Sequence, residues 1–369
     1  MKTYKFLIFA LMLVLCAGIL AGCAQATPVA TKAPDVPAEK PTDVPVAAPA
    51  EVESLELGVV VHFRSPFTDQ IAQGAQDAAD ECGDTTVEVV GPSGFDAATQ
   101  IGMFDALVQK GVDGIAVIPY PAETWNEPIN KAIDAGVDVL TMNVYAPEAK
   151  APAWFGQNET SSGVVLAEQL LKHLEGKSGE VVIGTCAPGA NVLLDREVGF
   201  RQGMEGKSDY TILGPFDVGV EAAKNYAAWE NLLAAHPNAV AMVGLCSPDM
   251  PNLSKLKEKT GATFVAAGYD LEPDALVGIQ NGFGDVTLGQ HPYLQGYLPM
   301  MSFCRHFVDG QAYPEGWVDV GTEVVDQSNI ETLMERENSP EKTAEFYKQV
   351  IAEKFSDLFS ITKPFPGSQ

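Results

Sequence analysis

The sequence predicts an α/β protein of two doubly wound parallel-sheet lobes, and three observations carry that prediction. Short apolar runs alternate with stretches whose apolar residues recur every three or four positions, the pattern of βαβ units. The alternation runs from residue 55 to about 143 and then starts again, so there are two sets, each the size of one doubly wound domain. The apolar runs are near-continuous rather than alternating, as expected of strands buried on both faces.

In the first set, residues 55–63 (LELGVVVHF) form such a run, and Phe67, Ile71, Ala75 and Ala78 then fall at helical spacing. Residues 87–90 are a second strand, and Ile101, Phe104, Leu107 and Val108 give the next helix its apolar face. Residues 114–119 are a strand, 125–135 a helix ending at Gly136, and 137–143 a strand. In the second set, helices at 163–174, 196–204, 222–235, 253–259, 275–281 and 294–308 alternate with strands at 181–185, 210–216, 239–245, 263–270 and 286–290. Ser339-Pro340-Glu341 reads as one more helix start, with Pro at the first turn. Phe346, Val350, Ile351 and Phe355 follow on one face, and the expected place for this helix is the outside of the second lobe.

Ahead of the lobes lies a different kind of sequence. Lys2 and Lys5 precede an apolar run over residues 6–20, too short for a stable membrane span but suited to a secretory signal. It ends in Leu20-Ala21-Gly22-Cys23, which resembles the lipobox of bacterial lipoproteins, so residues 1–23 are expected to be a signal segment with Cys23 lipid-modified. Residues 24–54 are rich in Ala, Pro, Val and Thr and cannot build a core, the composition of a tether.

Composition narrows function. The chain carries 49 acidic against 23 basic residues, a net charge of −26, with no basic cluster, which argues against nucleic acid. Five scattered histidines show no metal spacing, and no GxGxxG, GxSxG or HExxH motif occurs. Gly176-Lys177-Ser178 is similar to the end of a phosphate loop, but the glycine required five residues earlier is Leu171. Neither enzyme activity nor a metal or cofactor is therefore expected. Cys82, Cys186, Cys246 and Cys304 include no CxxC pair; in an exported protein they are either two disulfides, Cys186 with Cys246 after neighbouring strands and Cys82 with Cys304 late in two helices, or four buried thiols.

In parallel sheets of this kind ligands sit beyond the carboxyl ends of the strands. After the first strand come His62-Phe63-Arg64-Ser65-Pro66-Phe67, and after later strands Tyr120, Asn143, Asn158, residues 187–196, Phe216-Asp217, Ser247-Pro248-Asp249, Asp270 and Gln290; the ligand candidates among them are Ser65, Phe67, Asn143, Asn158, Arg196, Ser247, Asp249, Asp270 and Gln290. Paired donors and acceptors of this kind suit sugar hydroxyls, and an aromatic ring suits the C–H face of a sugar.

From about residue 57 to 325 the chain resembles the type I periplasmic sugar-binding proteins of ABC importers, and most closely their ribose-binding branch. Ser65-Pro66-Phe67 stands where that family has Asn-Pro-Phe, Arg196-Glu197-Val198-Gly199-Phe200 resembles its Arg-x-x-Gly-Phe, and Gly268-Tyr269-Asp270 its Gly-Phe-Asp. The resemblance implies a sugar or cyclic polyol ligand, stacked on Phe67 and hydrogen-bonded by Arg196, Asp270 and Gln290. Asn143 stands in place of an Asp, Ser247 of an Asn, Val144 of an Arg and Thr68 of a second Phe, which moves the expected ligand from ribose toward a hexose, another pentose or a polyol. Arg64 beside Arg196 in the cleft would instead favour an acidic ligand. The resemblance also implies three chain crossings between lobes, dividing the chain into a first lobe of residues 55–157 and 291–319 and a second of 158–290 and 320–369. The expected partners are the transmembrane subunits of the permease and, through Cys23, the membrane; the protein is expected to be a monomer outside the cytoplasm. Delivery of the ligand to a sensor is the alternative role for the same fold.

Overall fold

The computed structural model describes residues 54–365. The signal segment, Cys23 and all but the end of the tether lie outside the described residues. The first lobe begins with β1 (Leu55–Val60), α1 (Pro66–Cys82), β2 (Thr85–Val90), α2 (Ala97–Lys110), β3 (Gly114–Val117), α3 (Asn126–Asp134), β4 (Asp138–Met142) and β5 (Ala153–Gly156). The second lobe follows with α4 (Glu159–His173), β6 (Gly179–Thr185), α5 (Asn191–Gly203), β7 (Tyr210–Asp217), α6 (Ala222–Ala235), β8 (Ala239–Gly244), α7 (Asp249–Thr260), β9 (Val265–Tyr269), α8 (Pro273–Gln280) and β10 (Val286–Gly289). The chain closes with α9 (Pro292–Asp309), β11 (Gly316–Asp319), β12 (Glu323–Asp326), α10 (Ile330–Glu337), α11 (Pro340–Lys354) and α12 (Leu358–Ile361).

Each lobe holds one six-stranded sheet, ordered β11-β5-β4-β3-β1-β2 in the first and β12-β10-β9-β8-β6-β7 in the second. All neighbours are parallel except β12, which runs antiparallel to β10. The central strands β3 and β9 are buried along their whole length, whereas the edge strands β2 and β7 are only partly covered. Helices on both faces give each lobe two apolar layers: Leu57, Val59 and Phe303 on one side of the first sheet, Val60, Phe104 and Trp125 on the other.

The helix starts follow local chemistry. The Ser65 hydroxyl accepts from the Thr68 backbone N–H while the Thr68 hydroxyl accepts from the Ser65 N–H, a reciprocal cap, and Pro66 occupies the first turn. α1 crosses α9 backbone to backbone, because a Cβ on Gly74 or Gly296 would collide with the main chain of the other helix. Gly163 of α4 and Gly199 of α5 do the same in the second lobe.

The chain passes between the sheets at residues 157–158, 290–291 and 320–322. The tail then departs from expectation. α10 packs on the second lobe through Ile330 and Leu333, but α11 and α12 return to the first lobe, where Tyr347, Phe355 and Leu358 join the core. Tyr347 stacks on Tyr293 of α9 at 4.6 Å, and Lys363 exchanges backbone hydrogen bonds with Trp317 of β11. The expected assignment of residues 320–369 to the second lobe therefore holds only to about residue 338. The apolar face of α11 thus joins the first-lobe core, with Tyr347 against Tyr293 of α9 and Arg336 of α10 over Phe346.

Both cysteine pairs are bridged. Cys82–Cys304 ties the ends of α1 and α9 with Cα atoms 5.9 Å apart, and Cys186–Cys246 joins the loops after the neighbouring strands β6 and β8 at 6.0 Å.

Candidate functional site

The carboxyl ends of both sheets face a cleft of about 630 Å³ between the lobes. Three non-glycine residues there have left-handed backbone: Asn143 after β4 (φ 60°), Asp270 after β9 (φ 71°) and His291 after β10 (φ 50°). Such conformations cost on the order of 1–3 kcal/mol each and persist where the surroundings over-determine them. At Asn143 and Asp270 the strained turn holds a polar side chain that lines the cleft.

Asp270 is the centre of the polar end. Its carboxylate accepts from the Ser247 hydroxyl at 2.6 Å and from the Gln290 amide at 2.5 Å, and the side chain is nearly buried. Asn143 donates to Gln295 at 3.1 Å and to Gln290 at 3.5 Å, so residues of both lobes and the hinge form one network. Arg196 of α5 is buried beside it. Its Nε and Nη2 donate to the two Glu159 carboxylate oxygens at 2.6 and 3.1 Å, its Nη1 to the Leu245 carbonyl at 2.8 Å, and its plane lies 4.1 Å from the Tyr269 ring centre. Burial alone disfavours the guanidinium charge, but the Glu159 carboxylate overrides it and holds the pKa above its ordinary range. Three of the five guanidinium N–H groups are thus committed, leaving two for a ligand.

The other end of the cleft is aromatic. His62 and Phe63 lie 4.5 Å apart, Phe63 and Phe95 4.5 Å, and Phe95 and Tyr120 5.0 Å. Burial lowers the His62 pKa to about 3, so the ring is neutral, and its Nδ1 has no hydrogen-bond partner. At the mouth, burial and then the charges of Asp270 and Asp274 push Glu272 up to about 7.

Of the residues read from the sequence, Ser65, Phe67, Asn143, Arg196, Ser247, Asp270 and Gln290 line this cleft. Asn158 and Asp249 do not. Asn158 caps α4 by accepting from the Ser161 N–H at 2.7 Å, so its side chain serves the helix end. Asp249 is fully buried, accepting from the Asn225 amide, the Trp229 indole and the Cys246 N–H, and burial raises it to about 6 despite these donors. Both sit at strand ends as ligand residues do, but their hydrogen-bond capacity is used inside the lobe. Thr68 is fully buried in the cap of α1 and does not line the cleft. Arg64 pairs with Asp69 at 3.1 Å on the surface rather than joining Arg196. Sequence reasoning passed over Glu159 and Phe95. A buried Arg needs a counter-charge, which was a signal for the first; no polar signature marks the second.

A family model described as a periplasmic binding protein domain matches residues 57–312. The chain is 25% identical over 288 residues to a xylose/arabinose-binding protein of Sulfolobus acidocaldarius, covering 73% of this chain and 70% of the relative. It is 25% identical over 238 residues to a ribose import binding protein of Bacillus subtilis, covering 64% of this chain and 76% of the relative. The structure superposes with a TM-score of 0.71 and 26% identity on an ABC transporter solute-binding protein of Burkholderia graminis solved with D-arabinose, covering 75% of this chain and 96% of that one.

Proposed function

The chain belongs to the periplasmic binding protein family, and from that premise we propose that it captures a monosaccharide or cyclic polyol between its lobes and delivers it to the permease of an ABC importer. It is a binding protein, not an enzyme. The observation that carries the reading is the network centred on Asp270, in which Ser247, Gln290 and Asn143 hold polar groups from both lobes around one point. Asp270 accepts from ligand hydroxyls, and Arg196 donates with the two N–H groups that Glu159 and Leu245 leave free. Phe67 lies against the C–H face of the ring. Arg64 pairs with Asp69 on the surface and so does not stand beside Arg196, as an acidic ligand would favour.

The hinge supplies the motion. Because the lobes are joined by short connections, ligand contacts made only in the closed form shift the population toward closure. Among the described residues no helix is long and apolar enough to cross a membrane. The protein works outside the cytoplasm, and in this reading Cys23 anchors it by lipid, residues 24–54 give it reach, and it acts as a monomer.

A thermal-shift screen of pentoses, hexoses, inositols, sugar acids and amino acids tests the proposal. Stabilisation by at least one neutral sugar or polyol is expected. Stabilisation by amino acids alone would overturn the substrate class.

A further inference from the structure

One end of the cleft carries the Asp270 network and the other a chain of aromatic rings, more aromatic surface than a lone sugar ring can use. Hydroxyls project from most of the edge of a monosaccharide, so such a ligand needs polar partners around it and one or two ring faces. Here four rings touch in a continuous chain, from His62 through Phe63 and Phe95 to Tyr120. The second lobe faces the rings with Val192, Val220 and the Cys186–Cys246 disulfide, and lines the cleft near Ala222 with Asn252 and Lys255. Tyr120 and Val192 each pack against the cores of both lobes, and Asn191 of α5 donates to Glu123 of the first lobe at 2.8 Å, so the lobes already meet across the cleft in this region.

Two of these groups stand out by their exposure. Phe95 and Val220 are each 42% exposed, large apolar side chains from opposite lobes that line the same cleft. Exposed apolar groups that converge on one cavity mark a binding surface. The cavity of about 630 Å³ also lies within the ~300–1,000 Å³ range that holds drug-sized ligands.

We propose that the ligand is a glycoside: a sugar ring seated against Asp270 and Arg196 that carries an apolar aromatic group lying between Phe95 and Val220. This rests on the sugar-binding reading above and specifies the chemistry of the ligand's other half. The aglycone stacks on the ring cluster and removes the exposed faces of Phe95 and Val220 from water, which a free sugar at the polar end leaves wet.

Titration calorimetry of the protein with D-xylose, L-arabinose, D-ribose, D-glucose and D-galactose tests this, each supplied free, as the methyl glycoside and as the phenyl glycoside in both anomers. For the preferred sugar, the phenyl glycoside is expected to bind about tenfold or more tightly than the methyl glycoside, the gain of one or two good aromatic contacts. Phe95→Ala and, separately, Val220→Ala should shrink that preference to about twofold or less, with unfolding midpoints confirming that each variant is folded. Free sugar or methyl glycoside binding as tightly as phenyl glycoside would overturn the glycoside while leaving the sugar reading intact. A disaccharide of the same sugar binding more tightly than the phenyl glycoside would also overturn it. Binding of amino acids with no sugar or glycoside active would sink both readings.

Discussion

Both lobes arrange their strands in the same order, and both press two helices together at glycines, Gly74 on Gly296 in the first and Gly163 on Gly199 in the second. At the cleft they differ. The first lobe supplies the rings of His62, Phe63, Phe95 and Tyr120, and the second supplies Arg196, Ser247 and Asp270. The comparison teaches that the framework is set by buried apolar strands and small helix contacts, which repeat. The recognition chemistry is set by a few residues after each strand, which need not repeat.

The largest expected effects compare the disulfides. Cys82–Cys304 spans 222 residues and Cys186–Cys246 spans 60. Chain-entropy arguments assign them about 5 and about 4 kcal/mol. Denaturant unfolding should therefore show a greater loss for Cys82→Ala with Cys304→Ala than for Cys186→Ala with Cys246→Ala. Only the second pair lines the cleft, so only it should also change ligand affinity. Equal affinity in both double variants would break the distinction between a framework bridge and a cleft bridge.

Next in size is Glu159→Ala in the second lobe. It leaves Arg196 buried without its counter-charge, which costs on the order of 3–5 kcal/mol, and it frees the guanidinium to turn from the cleft. Both stability and sugar affinity should fall. A variant as stable as the parent would show that Arg196 finds another partner.

Tyr347→Ala probes the first lobe. The ring is fully buried against Tyr293, and truncating a buried aromatic costs about 3–5 kcal/mol. Hydrogen exchange should quicken in α1 and α9 before it does in α4 and α5. Equal loosening of both lobes would contradict the placement of the tail on the first.

The smallest effect is electrostatic. Glu272 titrates near 7 in the folded protein against an ordinary value of 4.5, because burial and neighbouring Asp charges disfavour its ionised form. The folded state keeps this proton longer than the unfolded chain. Stability from this group is present below about pH 4.5 and is lost as pH rises toward 7. Glu272→Gln lacks that loss, so its stability relative to the parent should rise between pH 5 and 8. A constant difference across that range would contradict the perturbed carboxyl.

Much of this fold was legible because strands covered on both faces read as unbroken apolar runs, and the stretches between them, such as residues 222–235, then fall out as helices, here α6. The strands β5, β11 and β12 were not, since four residues such as Glu323–Asp326 carry too little pattern to separate from a loop. The apolar face of α11 was visible, but which lobe covers it is a non-local fact with no periodicity to betray it. At the site, Asp270 and Gln290 could be found because they directly follow apolar runs, and Arg196, in the body of α5, because residues 196–200 resemble the family's Arg-x-x-Gly-Phe. Asn158 and Asp249 share that signature, yet a side-chain oxygen that caps a helix or satisfies a buried indole looks the same in sequence as one that meets a ligand. Phe95 is hidden for the opposite reason: an apolar residue in a loop has no partner pattern to announce it.

The central claim is that a sugar or polyol is held at the Asp270 network. Titration calorimetry of the neutral sugar or polyol that gives the largest thermal shift, against the parent and Asp270→Ala, tests it most directly. Hydrogen bonds to a charged group contribute about 1.5–3 kcal/mol, so one-to-one binding should weaken at least tenfold in the variant. Unchanged affinity in a folded Asp270→Ala protein would contradict the account and move the site elsewhere in the cleft.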